Sequence, residues 1–358
     1  MSKAESDGLR VRVAPGLEPA AAAELAGRGL KVIEEPGGVR VPLAKLHEVL
    51  LWSRVGSAVT RHMGTVRANK LPEGLASFPW RQVLRRGQRI EVRIVGMPSR
   101  GLDRKCQAVI AKRADPRQAR GGRAPAAKVL LVNRDGKVEV VITAGEDLWK
   151  RGWRRNPGRA PLRECLAAGL IQVAGWDPRT EALVDPMCGS GTFAIEAAHL
   201  GLGRAPGAYR SFAAEWWPCF DSTGFERAKK KARASRSRAI RVFGSDRDAR
   251  QLAAARSNAE NARVDRQISL KQCAFEELQP PDGSGLILMN PPYGQRLGAS
   301  RKTYQFIGGQ LRKAWSGWRF GVLLPDITLL GCLPGRPEVA TMVRNGGQKV
   351  WFAVGRVP

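Results

Sequence analysis

Asn290, Pro291, Pro292 and Tyr293 follow directly on four apolar residues in the stretch LILMNPPYGQRLG, residues 286–298. Proline cannot donate a ladder hydrogen bond, so a buried strand has to leave its sheet at this point. Such an ending has a chemical use. The exocyclic amino group of a nucleobase is a poor nucleophile because its lone pair is delocalised into the ring. Two acceptors, the Asn290 amide oxygen and the Pro291 carbonyl, would hold the amino hydrogens and aim the lone pair at a methyl sulfonium. The locked φ of Pro291 and Pro292 sets those acceptors before reaction, as in-line transfer requires. Tyr293 can stack on the base once it is unstacked from its neighbours. Read structurally, the same tetrapeptide is a rigid strand-ending turn.

A second stretch, LVDPMCGSGTFAIEAA at 183–198, reads as strand, glycine loop and helix. Gly189 and Gly191 permit close backbone approach, and Thr192 opens a helix whose amide-rich end faces the loop. Three cofactor classes compete for such a loop. A nucleoside triphosphate needs Gly-Lys-Ser/Thr, and no lysine follows Gly191. A dinucleotide fits the loose Gly189-x-Gly191-x-x-Ala194 pattern, but Asp185 before the glycines would repel a pyrophosphate. The same carboxylate suits the amino acid part of S-adenosylmethionine, directly or through water. Asp246, in VFGSDRDAR, ends the next strand and can accept hydrogen bonds from a ribose pair. Pro186, Cys188 and Arg247 belong to the same candidate set, Cys188 as a small packed residue of the loop. The structural alternatives are a turn at Asp185-Pro186 and a helix cap at Asp246. No covalent step is required. A cytosine C5 methylase would need a Pro-Cys pair at a strand end, and Cys219 lies in the connection WWPCFD.

The elements carrying these residues alternate. Strands are expected at ALVDP, AIRVFGSD, ISLKQC, GLILMNPP, RFGVLLP and KVWFAVG, with helical patterns such as DARQLAAARSNAENAR between them. That alternation predicts a doubly wound α/β sheet, whose ligands bind beyond the carboxyl ends of the strands. The first half reads as small mixed units. One runs strand, alanine-rich helix closed by Gly29, and two short strands about Pro36-Gly37-Gly38. The other, from about Leu51, has QRIEVRIVGM as a strand, DRKCQAVIAKRA as a helix, and a hairpin about Asp135-Gly136.

Sixty Lys and Arg against 32 Asp and Glu give the 358-residue chain a net charge of +28. Such an excess attracts a polyanion and makes its binding salt-dependent. The connecting stretch DLWKRGWRRNPGRAPLREC mixes cations with tryptophans, which suits either phosphate contact with base stacking or a linker docked on the next domain. The run ERAKKKARASRSRAIR reads first as a solvated helix face, with nonspecific phosphate contact as the alternative. No apolar run reaches the roughly 20 residues of a spanning helix, and the start has no signal-peptide core, so a cytoplasmic location is expected. Six scattered cysteines and 3 histidines indicate neither a disulfide framework nor a metal site.

On these motifs the sequence resembles the THUMP-domain RNA guanine-N2 methyltransferases. PGLEPAAAAEL is similar to the family's N-terminal ferredoxin-like helix, LWSRVGSAVTR and FPWRQVL to the lead into THUMP, and DLWKRGWR to its end. APLRECLAAGLI, DPMCGSGTFAIEAA, FGSDRDARQLAAARSNAENA and MNPPYGQRLG resemble its ordered catalytic motifs, and RAPGAYRSFAAEWW its insert after the first helix. The resemblance implies a ferredoxin-like unit at 1–52, a THUMP-like RNA-binding unit at 53–155 and a Rossmann-like methyltransferase domain at 156–358. It further implies transfer from S-adenosylmethionine to the N2 of a guanosine in structured RNA, rRNA ahead of tRNA, with no metal and no membrane partner. One departure stands out. Where the family has an acid for the adenine amino group, LKQCAFEEL has Ala274, next to Phe275, which could still stack on adenine. Asn-Pro-Pro-Tyr alone is shared with DNA adenine, DNA cytosine-N4 and protein glutamine methyltransferases. A non-catalytic RNA-binding or assembly factor with a decayed cofactor pocket is the remaining alternative.

Overall fold

The computed structural model describes residues 8–114, 124–155, 162–233, 239–292, 301–345 and 347–358. The described residues build two seven-stranded sheets. The first contains β1 (Gly8–Arg12), β2 (Ile33–Glu35), β3 (Gly38–Pro42), β4 (Ala58–Arg67), β5 (Ile90–Val95), β6 (Ala127–Arg134) and β7 (Lys137–Gly145), ordered β2-β3-β1-β4-β7-β6-β5. Helices α1 (Glu18–Ala26), α2 (Leu46–Trp52) and α3 (Leu102–Ala111) join its strands. Because β1 pairs antiparallel with β4, Leu9 opposite Arg61, the sheet runs unbroken across residue 52.

The expected strands, the helices at 18–26 and 102–111 and the 127–145 hairpin all form, but the sequence pattern hid β4. Its ladder to β7 slips twice, between Val59 and Thr60 and between His62 and Gly64. Each slip resets the period-two alternation by which a strand is recognised. Arg61, at mid-strand, is buried and donates to Gln82 Oε1 at 2.9 Å.

The second sheet holds β8 (Ala182–Asp185), β9 (Val242–Asp246), β10 (Ile268–Gln272), β11 (Gly285–Met289), β12 (Arg319–Leu324), β13 (Glu338–Asn345) and β14 (Gln348–Arg356), ordered β10-β9-β8-β11-β12-β14-β13. The five strands from β8 to β12 are parallel, and β14 runs against both β12 and β13. Among the described residues five α-helices accompany them: α4 (Glu164–Val173), α5 (Thr192–Gly201), α6 (Ser222–Arg233), α7 (Ala249–Asn261) and α8 (Arg301–Ala314). The central strands are apolar on both sides because both faces are covered. In β11, Leu286 and Leu288 enter the core shared with α4 and α5, whereas Ile287 and Met289 enter the core under α8. Chain order reverses on either side of β8, with β9 and β10 one way and β11 the other, which opens a crevice at the carboxyl ends of β8 and β11.

The two sheets share a core. The cluster holding Leu9, Val11 and Leu17 continues into Leu166, Phe193 and Leu286. Leu17 packs so closely on α4 that a Cβ at Gly169 would lie 2.6 Å from its Cδ1. Between the halves, Glu196 is fully buried against Arg54 at 3.4 Å and Arg151 at 3.5 Å. Burial pushes this carboxyl up, and Arg151, Arg54 and His199 outweigh it to hold the group below its ordinary range. Glu24 takes the Arg54 and Val55 amides at 2.9 and 3.2 Å.

Candidate functional site

A cavity of about 910 Å³ lies over the carboxyl ends of β8, β9 and β11. Asp185, Asp246 and Asn290, each at a strand end, all line it, together with Pro186, Cys188, Gly189, Thr192, Arg247, Phe275, Pro291 and Pro292. Residues far apart in sequence, Asp185 and Asn290 among them, thus line one cavity. Tyr293 lies outside the described residues. Gly191 and Ala274 are not among the described lining residues. Gly191 has φ +84° and faces α7 instead, where a Cβ would stand 3.1 Å from that of Ala255.

The glycine loop is built by a dense set of main-chain bonds. Cys188 N–H donates to the Ser245 carbonyl at 2.9 Å, and Gly191 N–H to the Cys188 carbonyl at 2.8 Å. Asp246 joins in: its Oδ2 accepts from Gly189 N–H at 2.9 Å and its Oδ1 from Asp248 N–H at 2.9 Å. Its first task is therefore to fasten the loop to β9, with one lone pair on each oxygen left for a hydroxyl. The cap of α7 is Asp248, which accepts from Arg250 N–H at 2.9 Å.

Asp185 is 2 % exposed and accepts from Met187 N–H at 3.3 Å. Burial pushes its carboxyl up to about 8; the Met187 bond opposes this and the charge on Asp246 adds to it. Burial also raises the Cys188 thiol well above its usual range, helped by Asp185 and Asp246, so it stays a thiol and packs rather than attacks.

At β11 the chemistry is the reverse. Asn290 Oδ1 is buried and has no hydrogen-bond partner among the described residues. A buried amide oxygen left unpaired costs about 1–3 kcal/mol. It lies beside Pro291, in the wall of the cavity.

Several lining groups carry no motif. Glu276 contributes a carboxylate two residues after Ala274, whose own N–H is taken by Glu277 Oε2 at 3.4 Å. Lys302, Thr303 and Phe306 from α8, and Asn345 and Gln348 from the β13–β14 turn, form the opposite wall. Phe306, 39 % exposed, sets its ring edge-on to Phe275, with centroids 6.3 Å apart. The i, i+1, i+4 spacing on α8 was available in the sequence, but nothing there said which sheet edge the helix faces.

Part of the connecting stretch docks inward, while Lys150, Arg155 and Arg163 are exposed. Trp153 is 3 % exposed, and Arg154 donates from Nε to Glu164 Oε1 at 2.9 Å and from its two Nη atoms to Ser190 Oγ at 3.2 Å and Thr192 Oγ1 at 2.9 Å. On α6, Lys229 is buried against Glu215 at 2.9 Å, whereas Arg227, Lys230, Lys231 and Arg233 are exposed. Among the described residues no helix is long and apolar enough to cross a membrane.

Residues 151–347 match the RMKL-like methyltransferase domain. A ribosomal RNA large subunit methyltransferase K/L from Marinomonas sp. is 32 % identical over 95 % of this chain, which spans 51 % of that relative's length. A Synechocystis protein provisionally named an RNA methyltransferase is 31 % identical, over 94 % of this chain and 93 % of its own. The crystal structure of SMU.472, provisionally named a methyltransferase and solved with SAH, superposes with a TM-score of 0.87 at 25 % identity, covering 98 % of both chains. The strand order, the cavity at the switch point and this extent of similarity lead to one conclusion: the chain belongs to the RMKL-like methyltransferase domain family.

Proposed function

We propose that this chain methylates RNA with S-adenosylmethionine, at the exocyclic N2 of a guanosine in large-subunit ribosomal RNA. The observation that carries this reading is the buried, unpartnered Asn290 Oδ1 beside Pro291. An acceptor kept out of water, with no partner of its own, is matched to a donor that arrives with the substrate, and an amino group on a base is such a donor.

The residues present fit the cofactor. Asp185 offers a carboxylate to a cationic amino group, Asp246 has spare lone pairs for ribose hydroxyls, and Phe275 gives an aromatic wall. Bound there, S-adenosylmethionine supplies an electrophilic methyl group on a sulfonium. Asn290 Oδ1 and the Pro291 carbonyl each accept one hydrogen of the guanine amino group and turn its lone pair toward that carbon. With Asp185 and Asp246 holding the cofactor, these two acceptors would aim the amino nitrogen at its methyl carbon, and the chemistry the cofactor would supply is methyl transfer with a neutral thioether as leaving group. Pre-set acceptors save reorganisation at the moment of transfer. Asp185 must ionise to pair with the amino group, and the incoming cation favours that ionisation.

The ribosomal target rests on the names of the relatives and on the charge of +28. The decisive experiment is labelled-methyl transfer to separated, unmodified ribosomal and transfer RNA followed by nucleoside analysis. Label in N2-methylguanosine of the ribosomal fraction is expected. Label in N6-methyladenosine overturns the base, and label confined to transfer RNA overturns the target. Deleting residues 1–155 is a poor test of the division of labour, because it strips Leu17, Arg54 and Arg151 from the shared core.

A further inference from the structure

Arg154 is not among the described lining residues of the cavity, but it bonds Ser190 and Thr192, which are. We propose that Arg154, oriented by Glu164, is a positioning residue that holds this loop in its cofactor-accepting shape. Its planar fork spans the loop. Nη1 donates to Ser190 Oγ at 3.2 Å, and Nη2 to Thr192 Oγ1 at 2.9 Å and to the Leu162 carbonyl at 2.8 Å. Ser190 and Thr192 flank Gly191, the residue at φ +84° where the loop turns into α5. The guanidinium thus brackets the second of the loop's two left-handed glycines, Gly189 and Gly191, by the hydroxyls on either side of it.

Glu164 supplies the orientation. It is 1 % exposed, opens α4 and accepts from Nε at 2.9 Å, which leaves both Nη atoms to point at the loop. A lysine would do this less well, since its three donors sit on one nitrogen and lack the planar fork whose fixed spacing spans Glu164, the two hydroxyls and the Leu162 carbonyl. A second tie comes from the adjacent residue. Arg155 N–H donates to Asn258 Oδ1 at 3.2 Å, and Asn258 Nδ2 donates to the Ser190 carbonyl at 3.1 Å. Two consecutive residues of the connecting stretch therefore secure one loop, by side chain and by main chain.

The consequence is for cofactor capture. Glycine loops lose much conformational freedom on ordering, and a loop already ordered in the free protein leaves less to be spent on binding. Three residues earlier, Arg151 makes a comparably buried ion pair with Glu196, inside α5 and away from the loop. That pair is the internal control: if burial of an arginine were all that mattered, the two would behave alike.

The test is titration calorimetry of the full chain with S-adenosylmethionine and S-adenosylhomocysteine, alongside thermal melting and steady-state kinetics. Arg154→Met is expected to weaken both ligands at least tenfold and to raise the cofactor KM in step, with the RNA KM changed less than threefold. Arg154→Lys should recover part of the loss, and Glu164→Gln should fall between the parent and Arg154→Met. Arg151→Met should lower the melting temperature without a selective effect on cofactor affinity. Should Arg154→Met fold poorly, Ser190→Ala with Thr192→Val removes the two acceptors while leaving the ion pair, and about fivefold weaker binding is expected. Cofactor affinity within twofold of the parent in a folded Arg154→Met or in the double variant overturns the proposal. So does equal weakening of cofactor by Arg151→Met and Arg154→Met. These binding readouts do not depend on which base or RNA is methylated.

Discussion

The two ends of the cavity are built on opposite rules. At the carboxyl end of β8, Gly189 and Gly191 donate their N–H groups to protein acceptors, and both loop hydroxyls are claimed by Arg154. At the carboxyl end of β11, Asn290 keeps a buried oxygen without a partner among the described residues. On the proposed function, the difference separates holding from reacting. A loop that must keep one shape is saturated with bonds, and a group that must engage a transient partner is left with its capacity unspent. The unpaired oxygen is a local cost that the apolar run of β11 can bear, because Leu286 to Met289 are all at most 1 % exposed.

The sharpest way to break that contrast is Asn290→Ala. Removing the open acceptor is expected to lower kcat by about 10²–10³-fold, in line with the loss of one pre-set polar group at a reacting centre. Cofactor affinity should stay within about twofold, as measured by calorimetry. A parallel loss of both would mean that Asn290 belongs to the holding side. Asp246→Asn probes the other end. It trades a charged acceptor of the Gly189 amide for a neutral one, and charged hydrogen bonds contribute roughly 1.5–3 kcal/mol, so cofactor affinity should fall by about tenfold or more with kcat at saturation nearly unchanged.

A smaller effect is expected from pH. In the folded chain Asp185 keeps its proton up to about pH 8, whereas the ordinary carboxyl releases it near 3.8. The folded form holds the extra proton between those values, so stability falls as pH rises across them. His199 acts in the opposite sense, since burial lowers it from 6.5 to about 4 and stability rises with pH over that window. The two oppose each other below about 6.5, and Asp185 acts without that opposition from there to about 8. The melting temperature of the parent should therefore drop between pH 6.5 and 8, and Asp185→Asn should flatten that slope in scanning calorimetry. The smallest effect belongs to Glu276→Gln. Its exposed carboxylate is worth at most about 1 kcal/mol, so cofactor affinity should change by no more than about fivefold, and by nothing if Glu276 plays no part in binding.

Much of the catalytic sheet could be read from sequence because buried parallel strands announce themselves. ALVD and GLILM are continuous apolar runs that stop at residues a sheet cannot accommodate, and the acids and prolines at those stops are the ones that line the cavity. β13 escaped notice because its ladder to β14 slips between Val339 and Thr341, which blurs the alternation of EVATMVRN. Arg154 escaped for another reason. An arginine in a run of cations and tryptophans looks the same whether it faces RNA or a buried glutamate, and only the fold decides. Ala274 drew attention as a missing acid, although the carboxylate that reaches the cavity is that of Glu276.

The β13–β14 hairpin carries one more consequence. Its turn presents Asn345 and Gln348 to the cavity, while farther along Thr341 donates its hydroxyl to the Gly16 carbonyl at 2.6 Å, and a Cβ on Gly16 would collide with the Met342 carbonyl. One wall of the cavity thus rests on the first turn of the opposite half of the molecule. For anyone exchanging modules between relatives, the natural cut at the connecting stretch is the wrong one: a transplanted front half fits only when this hairpin travels with it.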